Sequence, residues 1–180
     1  MPPKTSSHSF LHAYCLNPDV KFESQQDHEE VILVLRAHPV TQIHWIFNSV
    51  VLLFILIILN TVVPLFFNVG EIIFTNLFGI FIIISYAFYN FLHWFFNVGI
   101  ISNERIIDID FENLLYKEVT EALLARVEDT TSKSGGFFES FFNYGDLFIQ
   151  TAGTAINIEF LNIPNPGDAI RIIQDLMVKP

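Results

Sequence analysis

Between Arg36 and Glu104 the chain carries a single charged side chain, Glu71. On either side of it lie apolar stretches, 43–63 and 72–96. Each has the roughly 20 residues that a helix needs to cross a ~30 Å hydrocarbon layer. Pro64 falls where the first helix should stop, and Asn68-Val69-Gly70-Glu71 reads as the turn. The connection is short, so the two helices are predicted to be antiparallel neighbours. Residues 43–98 are therefore read as a transmembrane hairpin. Trp45 is placed as an interfacial anchor near its start, with Tyr86, Tyr89 and Trp94 toward its exit.

Outside the hairpin the period changes. Residues 1–28 are polar and read as a flexible tail. In the juxtamembrane segment 29–42, Val31, Leu33 and Leu35 share one face of a short strand that Pro39 ends. A lone strand is unstable in water, so this one must pair with the later domain or lie at the membrane surface. After the hairpin, Ile107, Ile109 and Phe111 alternate with Asp108, Asp110 and Glu112. That predicts a half-buried strand whose acids form the solvated face. Further β-type stretches fall at 119–131, 147–151 and 155–161. They are separated by Ser134-Gly135-Gly136, Tyr144-Gly145-Asp146 and Ala152-Gly153-Thr154. A last helix starts at Asn165-Pro166-Gly167-Asp168, with Asn165 as N-cap and Pro166 at the first helical position. Ile170, Ile173 and Met177, joined by Ala169 and Leu176, form its apolar stripe. The expected fold is an α+β membrane protein: a hairpin, then a domain over 99–180 of antiparallel strands closed by a C-terminal helix.

Five segments sharpen this. Ser102-Asn103-Glu104-Arg105-Ile106-Ile107 resembles the "T-N-E-R-I-I" opening of bacterial pleckstrin-homology-like (PH-like) domains of the YdbS-like group. Leu124-Ala125-Arg126-Val127-Glu128-Asp129-Thr130 is similar to that group's "L-x-R-I-x-D-V". Tyr144-Gly145-Asp146-Leu147-Phe148-Ile149 with Thr151-Ala152-Gly153 resembles its "Y-G-D-V-x-I-x-T-A-G", and Asn165-Pro166 matches the start of its last helix. Arg36-Ala37-His38-Pro39 looks like the segment before the hairpin in membrane-anchored members. The departures are Ser102 for Thr, Val127 for Ile and Thr130 for Val. The resemblance implies a PH-like sandwich with a closing helix. It brings no activity, because a shared fold does not license a shared ligand.

Charge narrows the partners. The net charge is −10. Residues 99–180 hold six Lys and Arg against thirteen Asp and Glu. With no basic stripe, nucleic acid is excluded as a partner and tight binding to anionic headgroups is disfavoured. Cys15 is the single cysteine, so neither an intramolecular disulfide nor a Cys-based metal site is expected. The turn has no Lys or Arg, whereas Arg36, Arg105 and Lys117 flank the hairpin. The positive-inside rule then puts both termini and the PH-like domain in the cytoplasm of a multi-pass cell-membrane protein.

The polar groups of the hairpin are the first candidate site. His44 and Asn48 lie near the start of the first helix, and Asn90, His93 and Asn97 near the end of the second. Both sets fall at the cytoplasmic end, where they are expected to make interhelical polar contacts. A metal or proton site on His38, His44 and His93 is the sharper reading, but no intramembrane carboxylate accompanies it. The second candidate is Phe137, Phe138, Phe141 and Phe142, four Phe in six residues. Either two or three of them fill the open end of the sandwich, or the group contacts the membrane or a partner. No residue spacing supports a catalytic triad, a phosphate loop or a cofactor. The expected function is a non-enzymatic membrane-anchored module that scaffolds, through a protein partner or as a homo-oligomer. The alternatives are a lipid-binding PH-like module, or a transporter or channel subunit with Asn48, Asn60, Asn76 and Asn90 facing an oligomeric pore.

Overall fold

The computed structural model describes residues 12–22, 24–113, 116–152 and 157–178. Two strands precede the hairpin, β1 (Tyr14–Leu16) and β2 (Val31–Leu35). A 3-10 turn, Pro39–Gln42, leads into α1 (Ile43–Val62). A second, Val63–Leu65, follows it, and α2 (Val69–Phe96) runs back. Six strands come next: β3 (Val98–Ser102), β4 (Arg105–Asn113), β5 (Tyr116–Leu123), β6 (Val127–Lys133), β7 (Tyr144–Thr151) and β8 (Ile158–Pro164). A short helix α3 (Phe137–Phe142) lies between β6 and β7, and α4 (Pro166–Val178) ends the described chain.

The strands form two antiparallel sheets, β1-β2-β3-β4-β5 and β6-β7-β8. The hairpin is thus inserted between two neighbouring strands of one sheet. β2 does pair with the later domain, opposite β3, with Leu35 facing Gly99 and Val34 facing Ile100. The polar segment read as a tail also holds structure, because Tyr14, Cys15 and Leu16 pair with Leu35, Val34 and Leu33. The stretch at 119–131 is two strands in different sheets. The 3-10 turn Leu124–Arg126 divides them and buries Leu124 where the chain changes sheet. The Gly153-Thr154 turn and the start of the strand expected at Ala155 lie outside the described residues.

One core fills the space between the sheets. Leu33, Leu35, Ile101 and Ile106 meet Leu147, Ile149, Ile158 and Ile163 there, joined by Ala169 and Ile173 of α4. The apolar stripe of α4 is therefore centred on Ala169 and Ile173, with Ile170 and Leu176 beside them and Met177 exposed. A second cluster lies on the other face of the five-stranded sheet, where Val31, Ile100 and Ile107 pack with Phe22 and Ile109. Val31 does not share the face of Leu33 and Leu35, because the β2–β3 register slips between Val31 and Leu33. The segment before β2 covers this second cluster, so both faces of the sheet are apolar at its centre. Gly99 matters here: a Cβ on it would fall 2.4 Å from the Phe160 ring, so only glycine lets that ring lie against β3.

An ion pair fastens the N-terminal segment to the sheet. The Arg105 guanidinium donates to both oxygens of Glu29, at 3.0 and 2.9 Å, and to Glu121 at 2.7 Å. The Ser102 hydroxyl donates to Glu29 at 2.6 Å. The Arg105 plane also lies 5.4 Å from the Phe22 ring centre. The Glu29 side chain is fully buried. Burial pushes its carboxyl up, but hydrogen bonds from Arg105, Ser102 and the Gln26 amide outweigh that and leave it below its ordinary value. A depressed carboxyl contributes stability above its unfolded-state value and loses it as pH falls through the folded-state one. Removing Glu29 takes two charge-assisted bonds from the largely buried Arg105 and leaves it Glu121 as its carboxylate partner. Glu29→Ala is expected to cost about 1.5–3 kcal/mol, seen as a lower unfolding temperature of the purified chain. A loss under about 1 kcal/mol would mean the pair acts as an ordinary surface bridge.

Candidate functional site at the base of the hairpin

The two helix bases are pinned to the domain by side chains that sequence periodicity does not single out. The Trp94 indole donates to the Ala37 carbonyl at 2.8 Å. Arg36 lies over the Phe95 ring at 4.8 Å. The Asn97 side-chain oxygen accepts from the Phe111 amide at 2.8 Å, joining the end of α2 to β4. On the α1 side, the His38 amide donates to the Asn162 carbonyl at 2.7 Å, which fixes the turn to β8. His38 Nδ1 accepts from Val40 at 3.1 Å and caps the turn that leads into α1. The Trp45 indole donates to Gln42 at 2.7 Å.

Of the five residues expected to bond across the hairpin, Asn48 does so, donating to the Tyr86 hydroxyl at 3.4 Å. Asn90 donates instead to the Tyr86 carbonyl of its own helix at 2.8 Å. Asn97 turns to β4, His93 stacks on Tyr89 with ring centres 6.5 Å apart, and His44 is exposed on α1. The physical reason is local: the carbonyl four residues back lies within reach of an Asn amide without any helix movement. The reciprocal pair is Asn60 and Asn76, near the turn, with bonds of 2.7 and 2.8 Å. Gly79 completes the contact, since a Cβ there would fall 2.7 Å from the Leu56 side chain. The turn is also tighter than expected. Glu71 sits in the first turn of α2 and accepts from the Asn68 amide at 2.9 Å.

Between the hairpin base and the sheets lies a cleft of about 280 Å³, lined by Arg36, Asn90, His93, Asp108, Asp110 and Phe160 among others. This corrects the reading of the acidic row at Asp108, while Asp110 is exposed as expected. Asp108 pairs with Gly99, and strand alternation puts it on the same face as Ile106, toward the other sheet. The outward face carries Ile107 and Ile109. Asp108 is half-buried there, and burial, then the charges of Asp110 and Glu118, push its carboxyl up to about 7. The side chain of Glu112 lies outside the described residues. The His38, His44 and His93 group is not assembled: His38 stacks on Tyr144 at 5.4 Å, away from the other two environments. Among the described residues no three His, Cys, Asp or Glu side chains are grouped to hold a metal ion.

The four Phe of α3 are not core residues. Phe137, Phe138 and Phe141 are 78%, 66% and 70% exposed. Phe142 is turned toward His38, with ring centres 6.4 Å apart. Asn143 ends the helix in the left-handed region at φ 52° and its side chain bonds to Asn165. The stack of Phe137 on Phe141 and the edge contact of Phe141 with Phe142 join the rings into one knob.

Residues 40–177 match the family model described as "Bacterial PH domain". The chain belongs to that family. The match takes in both apolar helices, β3–β5 of the five-stranded sheet and the whole three-stranded sheet of this bacterial PH domain. No curated protein matches the chain significantly. A crystal structure of a DUF1696 family protein with a pleckstrin-homology domain, from Shewanella loihica PV-4, is similar at 14% identity. The alignment covers 45% of this chain and 67% of that one, with a TM-score of 0.33, too low to add to the fold described above.

The Asp108 environment has a testable signature. A carboxyl raised in the folded state contributes most at low pH, and stability declines as pH rises from 3.8 toward about 7. Asp108→Asn is expected to unfold at a higher temperature than the parent chain at about pH 8 and at the same temperature at about pH 4. An equal shift at both pH values would show that charge is not what the cleft resists.

Proposed function

We propose that this bacterial PH domain protein is a non-enzymatic, membrane-anchored module of the YdbS-like group. The hairpin crosses the cell membrane twice, and both termini and the sheet domain lie on the cytoplasmic side. There the domain acts as a scaffold that binds a protein partner or further copies of itself. The observation that carries this reading is the exposure of the hairpin. α1 and α2 have 20 and 28 residues, and their buried residues are Leu56 and Trp94. Both are long and apolar enough to cross a membrane. The core helix of a water-soluble domain would bury such a surface, and its exposure here supports a lipid environment. The acidic balance of residues 99–180 favours a protein partner over anionic headgroups. The pore reading is disfavoured because Asn60 and Asn76 use their amides on each other and on backbone carbonyls of their own helices.

Topology is tested with single cysteines in a Cys15→Ser background. Gly70→Cys suits the turn, since a Cβ there meets nothing within 4 Å. Asp175→Cys suits the exposed face of α4. A membrane-impermeant maleimide is expected to label Gly70→Cys in intact cells and Asp175→Cys in inverted vesicles alone. Labelling of both from one side would refute the two-crossing topology. Crosslinking of the full chain in native membranes is expected to yield a self-adduct or one recurrent protein adduct, and recovery of uncrosslinked chain alone would refute scaffolding.

A further inference from the structure

We infer that α3 is a third membrane contact, in which the Phe137, Phe138 and Phe141 rings enter the interfacial layer of the bilayer that the hairpin crosses. This rests on the anchor reading above. The geometry starts at His38, where β2 has ended and the turn into α1 begins. Phe142, at the far end of α3, packs on that same residue. α3 is therefore held at the end of the domain from which the hairpin leaves. Its position is fixed from two sides, by the Phe142–His38 contact and by the bond between Asn143 and Asn165.

The shape of the patch selects its occupant. Three rings at 66–78% exposure form a convex knob on a six-residue helix. A bilayer interface needs no complementary shape, and it accepts aromatic rings at a depth of roughly 5–10 Å. The one acid on α3, Glu139, is turned back and accepts from the Gly135 amide, which keeps the exposed crest of the helix apolar. The neighbouring cation, Lys133, lies over the Phe148 ring at 4.6 Å. The apolar surface of the hairpin and that of α3 thus face the same solvent, and neither depends on headgroup charge. The contact would set the domain's tilt: a hairpin alone leaves the lean of the domain against the bilayer open, and a third apolar foot restrains it.

The test uses the full chain with Cys15→Ser, reconstituted in neutral phosphatidylcholine vesicles and labelled with an environment-sensitive fluorophore. The probe sites are Phe141→Cys, Phe137→Cys, Phe78→Cys on α2 and Asp175→Cys on α4. Lipids carrying a quencher near the glycerol are expected to suppress emission from Phe141→Cys and Phe137→Cys. Quenchers deeper in the chains should suppress Phe78→Cys, and neither should affect Asp175→Cys. Suppression at Phe78→Cys with none at either α3 site would overturn the third contact and leave the anchor standing. No suppression at Phe78→Cys would overturn both. Shielding of the α3 probes that disappears when the protein is diluted into excess lipid would mean that a second copy covers the patch, which also overturns the proposal.

Discussion

Two strands that are hydrogen-bonded neighbours, roughly 4.8 Å apart, must feed two helices that pack side by side. That constraint shapes the rest of this molecule. β2 and β3 sit on either side of the hairpin in sequence and against each other in the sheet. The hairpin is therefore not a tether joined at one end. It grows out of the sheet at both ends, and the polar groups at its base serve that join: Trp94 to Ala37, Asn97 to Phe111, and His38 to Asn162. The reciprocal polar pair that holds helix to helix, Asn60 and Asn76, lies toward the turn, and Asn48 to Tyr86 adds one bond nearer the base.

The same constraint accounts for the two-sided sheet. A sheet with one covered face would need a polar second face. Here the segment before β2 returns across the outer face, with Phe22 against Ile107 and Ile109, and the buried Glu29–Arg105 pair holds it there. A buried charge pair is a poor source of net stability compared with apolar packing. Its value is directional: bidentate geometry admits one register of the N-terminal segment over the strands.

The helices and most strands were legible in the residue pattern because exclusion of charge and period-two alternation are strong signals. The helix bounds at the turn were less so, since Glu71 reads equally as a loop acid and as the third residue of a capping box. β1 escaped because three residues that pair through their backbones leave no side-chain pattern. The split of 119–131 escaped because nothing in Leu124-Ala125-Arg126 breaks a strand by propensity; burial of Leu124 in the core decides it. Asp108 departs from the solvated-face reading for a related reason, whereas Asp110 is exposed as that reading expects. Alternation shows that Asp108 and Ile107 point apart, but not which side the second sheet covers. The Phe cluster was legible as unusual, and its exposure follows from the close of β6 before it and the left-handed Asn143 after it. Arg105 was visible as part of a motif, while its partner Glu29 lies 76 residues away and no local rule links them.

Insertion of the hairpin between paired strands also orders the birth of the protein. β2 leaves the ribosome before either helix, with β1 already made but its second partner, β3, still to come. Leu33 and Leu35 cannot reach Ile101 until the whole of α1 and α2 has been placed and β3 has followed. The second and third strands of the sheet can thus meet only after both helices have been made. Until β3 follows, β2 keeps one apolar edge without its strand partner, the kind of edge that templates pairing with other chains.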